Sequence, residues 1–140
     1  MSTKNVPFYQ KNKWYSITIN PNDKYQFHGT DDRIKRFRDF MYEQFLQLDA
    51  YKINYRFNME LSEPRSMPPG HSGPRLHVHG KIQFTSNYSI NRFLTLFLYK
   101  VSRFASIDID TIEHPEIWDD YCKKQQHLYK KVSPIFTNSH

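Results

Sequence analysis

One short stretch constrains this chain more than any other: Leu76-His77-Val78-His79-Gly80-Lys81-Ile82-Gln83-Phe84. Apolar Leu76, Val78, Ile82 and Phe84 alternate with His77, His79, Lys81 and Gln83. A period of two specifies a strand with one face in a core and the other polar. The two histidines then share the polar face, separated by roughly 6.5–7 Å of strand rise. Imidazoles at that spacing can converge on one metal ion. Two histidines on a strand can also be ordinary solvent-facing residues, so the rest of the chain decides between these meanings.

At 140 residues the chain is expected to form one domain with a single core. Its 38% hydrophobic and 16% aromatic content places it outside the disordered class. A formal charge of +6 and a pI near 9.4 favour an acidic partner, nucleic acid being the usual one. The single cysteine, Cys122, excludes internal disulfides and cysteine-based zinc sites, and it fits a reducing compartment. There is no run of 18 apolar residues to span a membrane, and Met1-Ser2-Thr3-Lys4-Asn5 does not open a signal peptide. A soluble intracellular chain is the expectation.

Trp14 to Asn20 is aromatic and β-branched and stops at Pro21, which predicts a first strand. Thr30-Asp31-Asp32 supplies an N-cap and an acidic first turn. Ile34, Phe37, Phe40, Met41, Phe45 and Leu48 then recur at helical spacing, predicting a helix over 31–49. Residues 51–61 alternate again: Tyr55, Phe57, Met59 and Leu61 on one face, Arg56, Asn58 and Glu60 on the other. Pro64, Pro68, Pro69, Pro74, Gly70 and Gly73 make 62–74 a loop, which leads into the histidine strand over 75–84. Ile90, Phe93, Leu94, Phe97, Leu98, Val101 and Phe104 predict a second helix, and 105–112 a fourth strand. Pro115 suits the first turn of a last helix over 115–131.

The order β-α-β-β-α-β-α predicts an α+β fold: an antiparallel sheet with helices packed on one face, ferredoxin-like or RRM-like. Residues 14–132 would form the domain, with tails at 1–13 and 133–140. The polar sheet face would then carry His77 and His79.

If 51–61 and 75–84 pair as a hairpin, Glu60 comes opposite His77. Glu63 is the alternative carboxylate, already in the loop. Two histidines and a carboxylate leave coordination positions open, as a catalytic metal requires, and the donors suit Mg²⁺ or Mn²⁺ while also admitting Zn²⁺. Tyr121-Cys122-Lys123-Lys124 puts Tyr121 and Lys124 on one helix face. A phenol with a pKa near 10 is a poor nucleophile until a neighbouring ammonium favours its phenolate. Metal, tyrosine and lysine together are what attack on a phosphodiester requires. Tyr99 and Tyr129 are alternative nucleophiles, though neither has a lysine three residues on.

Ile17-Thr18-Ile19-Asn20-Pro21, His77-Val78-His79 and Tyr121-Cys122-Lys123-Lys124, in that order, resemble the three motifs of HUH endonuclease domains. The likeness is nearest to replication-initiator (Rep) proteins of circular single-stranded DNA viruses, of circovirus and geminivirus kind, and spans residues 14–131. The resemblance implies His77, His79 and Glu60 as metal ligands, Tyr121 as nucleophile, and Lys124 as a residue stabilising the phosphate. It links the first motif, with Asn20, to origin recognition. This chain's first motif reads Ile-Thr-Ile-Asn-Pro where the family resembles F-T-x-N-x-P, and its 62–74 loop is longer than expected. His71 in that loop is read as a loop residue. The implied function is nicking and rejoining of a stem-loop origin during rolling-circle replication, in a host nucleus. The resemblance implies a full-length protein that continues into a helicase domain and that oligomerises through parts outside this chain. No G-x-x-x-x-G-K-[ST] loop occurs here, so the endonuclease domain alone is expected.

Single-stranded DNA laid over the sheet would meet Lys81 and Arg56 beside the histidines, Lys123 and Lys130 around the tyrosine, and Arg75 from the loop. The rivals are a plasmid relaxase or single-tyrosine transposase of the same superfamily, and a non-catalytic RRM-like binder. An RRM would place aromatics on the central strands, where this chain has histidines and a glutamate.

Overall fold

The structure, a computed structural model, describes residues 9–22, 31–62, 76–114, 129–131 and 136–138. Each stretch of period-two alternation becomes a strand: β1 (Trp14–Pro21), β2 (Ile53–Ser62), β3 (Leu76–Phe84) and β4 (Ala105–Thr111). Helix α1 (Asp31–Ala50) follows β1. After β3, α2 (Asn87–Arg92) passes through a π-helical segment (Phe93–Phe97) into α3 (Leu98–Val101). Two short strands complete the sheet, β5 (Tyr129–Lys131) and β6 (Phe136–Thr137).

All the pairings are antiparallel, in the order β4-β1-β3-β2-β5, and β6 also pairs with β2. The chain order with β4-β1-β3-β2 as the main strands is the ferredoxin-like α+β arrangement expected from the sequence. Ile17 and Ile19 of β1, Phe57 and Met59 of β2, and Val78 and Ile82 of β3 turn one sheet face inward. Phe37, Met41, Phe45 and Leu48 of α1 pack on it, as do Phe93, Phe97 and Val101. The rings of Phe45 and Phe57 stack at 4.4 Å with an interplanar angle of 16°. The core therefore lies entirely on the helical side, which leaves the histidine side polar.

Helix α1 ends where Lys52 takes a left-handed φ of 61°, donating its N–H to the Asp49 carbonyl at 3.1 Å. That residue turns the chain into β2. Helix α2 begins with a capping box between Ser86 and Ser89. In the π-helical segment the rings of Phe93 and Phe97 stack at 5.2 Å. The wider turn rotates Leu94 outward to 44% exposure, although its spacing in sequence had placed it on the buried face.

The last predicted helix does not reach residue 131. Residues 129–131 form β5, with Lys131 opposite Glu60 and Tyr129 opposite Ser62. The outer edge of β2 has backbone groups that need partners, and a short strand satisfies them better than a final helical turn. Residues 115–128 lie outside the described residues. Beyond the predicted domain limits, Tyr9 packs edge-on against Tyr15 and Phe84. Asn138 holds the other end: its Oδ1 accepts from the Tyr55 N–H at 2.7 Å and its Nδ2 donates to Asp49 Oδ1 at 2.6 Å. No helix among the described residues is long and apolar enough to cross a membrane.

Candidate metal centre

The β2–β3 ladder sets the register that builds the site. Met59 pairs with Val78 on the apolar face, so Glu60 falls directly opposite His77 and Asn58 opposite His79 on the other. A slip of one residue would put these polar groups into the core, which makes the register strongly specified. Thr18 of β1 lies on the far side of His79.

Glu60, His77 and His79 converge. Their candidate ligand atoms all lie within 4.8 Å of one another. Glu60 Oε2 is 3.7 Å from His77 Nε2 and 3.6 Å from His79 Nε2. These distances exceed a hydrogen bond. They lie at or just above the roughly 3.3–3.6 Å that separates two tetrahedral ligands on bonds of about 2.0–2.2 Å, so a small inward shift would bring the groups onto one ion. The two imidazole rings meet edge to face at 4.4 Å. Glu60 is fully buried and His77 is 6% exposed, while the His79 side chain retains 16%. The facing atoms, Glu60 Oε1 and Oε2 and the two Nε2 nitrogens, are themselves buried, while other atoms of the His79 side chain reach solvent.

Both carboxylate oxygens of Glu60 are buried and accept no hydrogen bond from any described residue. Burial pushes the Glu60 carboxyl pKa up, but the two facing imidazoles pull it down by more, so it lies below the ordinary carboxylate value. The group is therefore held as a carboxylate. A buried charge in that state needs a positive partner, and the donor set of two imidazoles and one carboxylate fits a divalent cation. These three residues could hold a metal ion.

Lys81 and Arg56 also lie where the sequence reading put them. They pair with each other across β2 and β3, on the same face as His79 and two residues further along the strand. Lys81 places its Nζ 4.6 Å above the ring of Trp14. Asn20, at the far end of β1, pairs with Ser106 of β4. Lys130 belongs to β5 by its backbone. Tyr121, Lys123, Lys124, Arg75, Glu63 and His71 lie outside the described residues. Tyr99 is exposed on α3, in the helical layer across the sheet from the histidines, and is not part of this cluster.

Two residues of the polar face were not singled out in sequence. Trp14 shares the parity of Thr18 on β1, and Thr18 pairs with His79, so alternation alone places the indole on this face. Asn58 follows by the same logic as the residue opposite His79. No protein-family model, curated protein or solved structure matches this chain.

Proposed function

We propose that this chain is a metal-dependent nickase of single-stranded DNA, of HUH type and nearest to the initiators of circular single-stranded DNA viruses. The observation that carries the reading is the convergence of Glu60, His77 and His79 on the polar face of a ferredoxin-like sheet. The order of the three sequence motifs supports it.

Glu60, His77 and His79 would hold Mg²⁺ or Mn²⁺, which when bound would polarise the scissile phosphodiester. Tyr121 is the nucleophile: its phenolic oxygen bonds to phosphorus, and the bond from phosphorus to the 3′-oxygen breaks. The 3′-oxygen leaves as a hydroxyl, and the 5′-phosphate stays on the tyrosine. Lys124 favours the phenolate and offsets charge on the phosphate. Reversal by a new 3′-hydroxyl rejoins the ends, because the phosphotyrosine ester conserves the bond. Lys81 and Arg56, with Lys123, Lys130 and Arg75, neutralise the DNA backbone. Asn20 contributes to recognition of a stem-loop origin. The full-length protein would add a helicase domain and would oligomerise, and it would act in a host nucleus.

Cleavage of labelled stem-loop single-stranded DNA with Mn²⁺ tests the reading. Loss of cleavage in His77→Ala and in His79→Ala, with far-ultraviolet circular dichroism unchanged, is the expected result. Cleavage that survives both substitutions would remove the metal centre from the account. Salt-sensitive binding with no cleavage by the wild type would leave a non-catalytic single-strand binder.

A further inference from the structure

We propose that Asn58 supplies a fourth protein ligand, a neutral carboxamide oxygen, to the ion held by Glu60, His77 and His79. The inference rests on the reading of that cluster as a metal centre. Asn58 stands two residues before Glu60 on the same face of β2 and directly opposite His79 on β3. It is 7% exposed, and its Oδ1 is buried with no hydrogen-bond partner among the described residues. Buried polar oxygens in folded proteins are almost always paired, and an exception calls for a water, an ion or a strained role.

Asn54, on the same strand and face, shows the contrast. Its amide Nδ2 donates to Gln83 Oε1 at 2.9 Å, in an ordinary cross-strand pair. Four residues further along, opposite His79, no donor among the described residues reaches the Asn58 oxygen. The two oxygens of Glu60 beside it are also buried and accept no hydrogen bond from any described residue. Three buried oxygens with no donor among the described residues, on adjacent positions of one strand face next to two imidazoles, point to one shared cation.

The added oxygen changes the chemistry of the set. Two nitrogens and a carboxylate suit zinc in a tetrahedral site, whereas two nitrogens with two hard oxygens favour Mn²⁺ or Mg²⁺ in a higher coordination number. Asn58 is thereby a determinant of which metal the site retains.

Two measurements on the 140-residue chain test this. In the first, Mg²⁺ is titrated into the wild type while the side-chain ¹³Cγ resonances of Asn58 and Asn54 are followed. Asn58 should shift with the same midpoint as His79, and Asn54 should stay. In the second, Mn²⁺ and Zn²⁺ are titrated calorimetrically into wild type, Asn58→Leu and Asn58→Asp. Asn58→Leu should weaken Mn²⁺ by at least roughly 10–100-fold, the loss that follows removal of even an outer partner of a metal ligand. Zn²⁺ should weaken less than Mn²⁺, and Asn58→Asp should keep Mn²⁺. An unmoved Asn58 resonance at saturation, or wild-type Mn²⁺ affinity in Asn58→Leu, would overturn the proposal. A wild type that binds no divalent ion would sink the metal centre with it. Metal binding that depends on Asn58 in a protein that cleaves no DNA would sink only the nickase reading.

Discussion

Gly80 lies opposite Phe57 across the β2–β3 ladder, and a Cβ at Gly80 would come 2.2 Å from the Arg56 carbonyl oxygen and 2.5 Å from Phe57 Cδ1. Only a hydrogen fits there. The missing side chain lets the Phe57 ring lie against the sheet and stack on Phe45. The glycine that follows the two histidines is thus a packing requirement of the strand that carries them.

Gly80→Ala should consequently destabilise the fold by at least about 1–3 kcal/mol, the usual cost of forcing extra volume into a packed site. The obstacle is backbone as well as ring, so relaxation of Phe57 alone cannot relieve it. Urea unfolding should show a lower midpoint with an unchanged slope. A midpoint equal to that of wild type would mean that the β2–β3 spacing at Gly80 is looser than described.

Glu60 ties stability to pH. Its carboxyl pKa is lower in the fold than its ordinary value of 4.5, because His77 and His79 outweigh the opposing effect of burial. A group of that kind contributes stability above its unfolded pKa, and the contribution is lost as pH falls through the folded value. In metal-free protein, wild type should therefore lose stability more steeply than Glu60→Gln as pH drops below about 4.5. Urea midpoints measured from pH 6 to pH 3 in EDTA would compare the two slopes. Parallel curves would contradict the electrostatic account of this cluster.

Trp14 and Lys81 make a second prediction about the same face. The indole is half-buried beneath the Lys81 ammonium, and Lys81 is two residues along β3 from His79. A base stacked on such a ring is worth roughly 1–3 kcal/mol. Fluorescence anisotropy with a labelled single strand should show Trp14→Ala weakening binding by about 5–150-fold, the equivalent of that energy. Lys81→Ala should instead flatten the salt dependence, by about 0.7 in log–log slope for one phosphate contact on a single strand. Wild-type affinity and slope in both variants would move the DNA path off this part of the sheet.

Much of this arrangement is legible in the sequence because a sheet with one buried face has few ways to pair. Met59 and Val78 both belong inside, and their pairing carries Glu60 to His77 without further information. Helix α1 was equally plain, since Ile34, Phe37, Met41, Phe45 and Leu48 all point to one core. The features that escaped depend on contacts made only in the folded chain. Strand β5 spans three residues and β6 two, too short for a periodic signal, and their pairing is dictated by the open edge of β2. The π-helical turn over Phe93–Phe97 is a local departure from the 3.6-residue period, so a pattern of apolar spacing does not reveal it. Asn58 and Asn54 look alike in pattern and differ only in what stands opposite: His79 for one, Gln83 for the other.

The most direct test of the account is to find the covalent bond. Wild type and Tyr121→Phe would be incubated with stem-loop single-stranded DNA and Mn²⁺, with EDTA as control, then digested and mapped by mass spectrometry. The account predicts one peptide carrying a 5′-phosphonucleotide on Tyr121, absent in EDTA and absent in the variant, whose DNA and metal binding persist. A wild type that binds both metal and DNA yet yields no adduct, or an adduct on another residue or formed in EDTA, would contradict it.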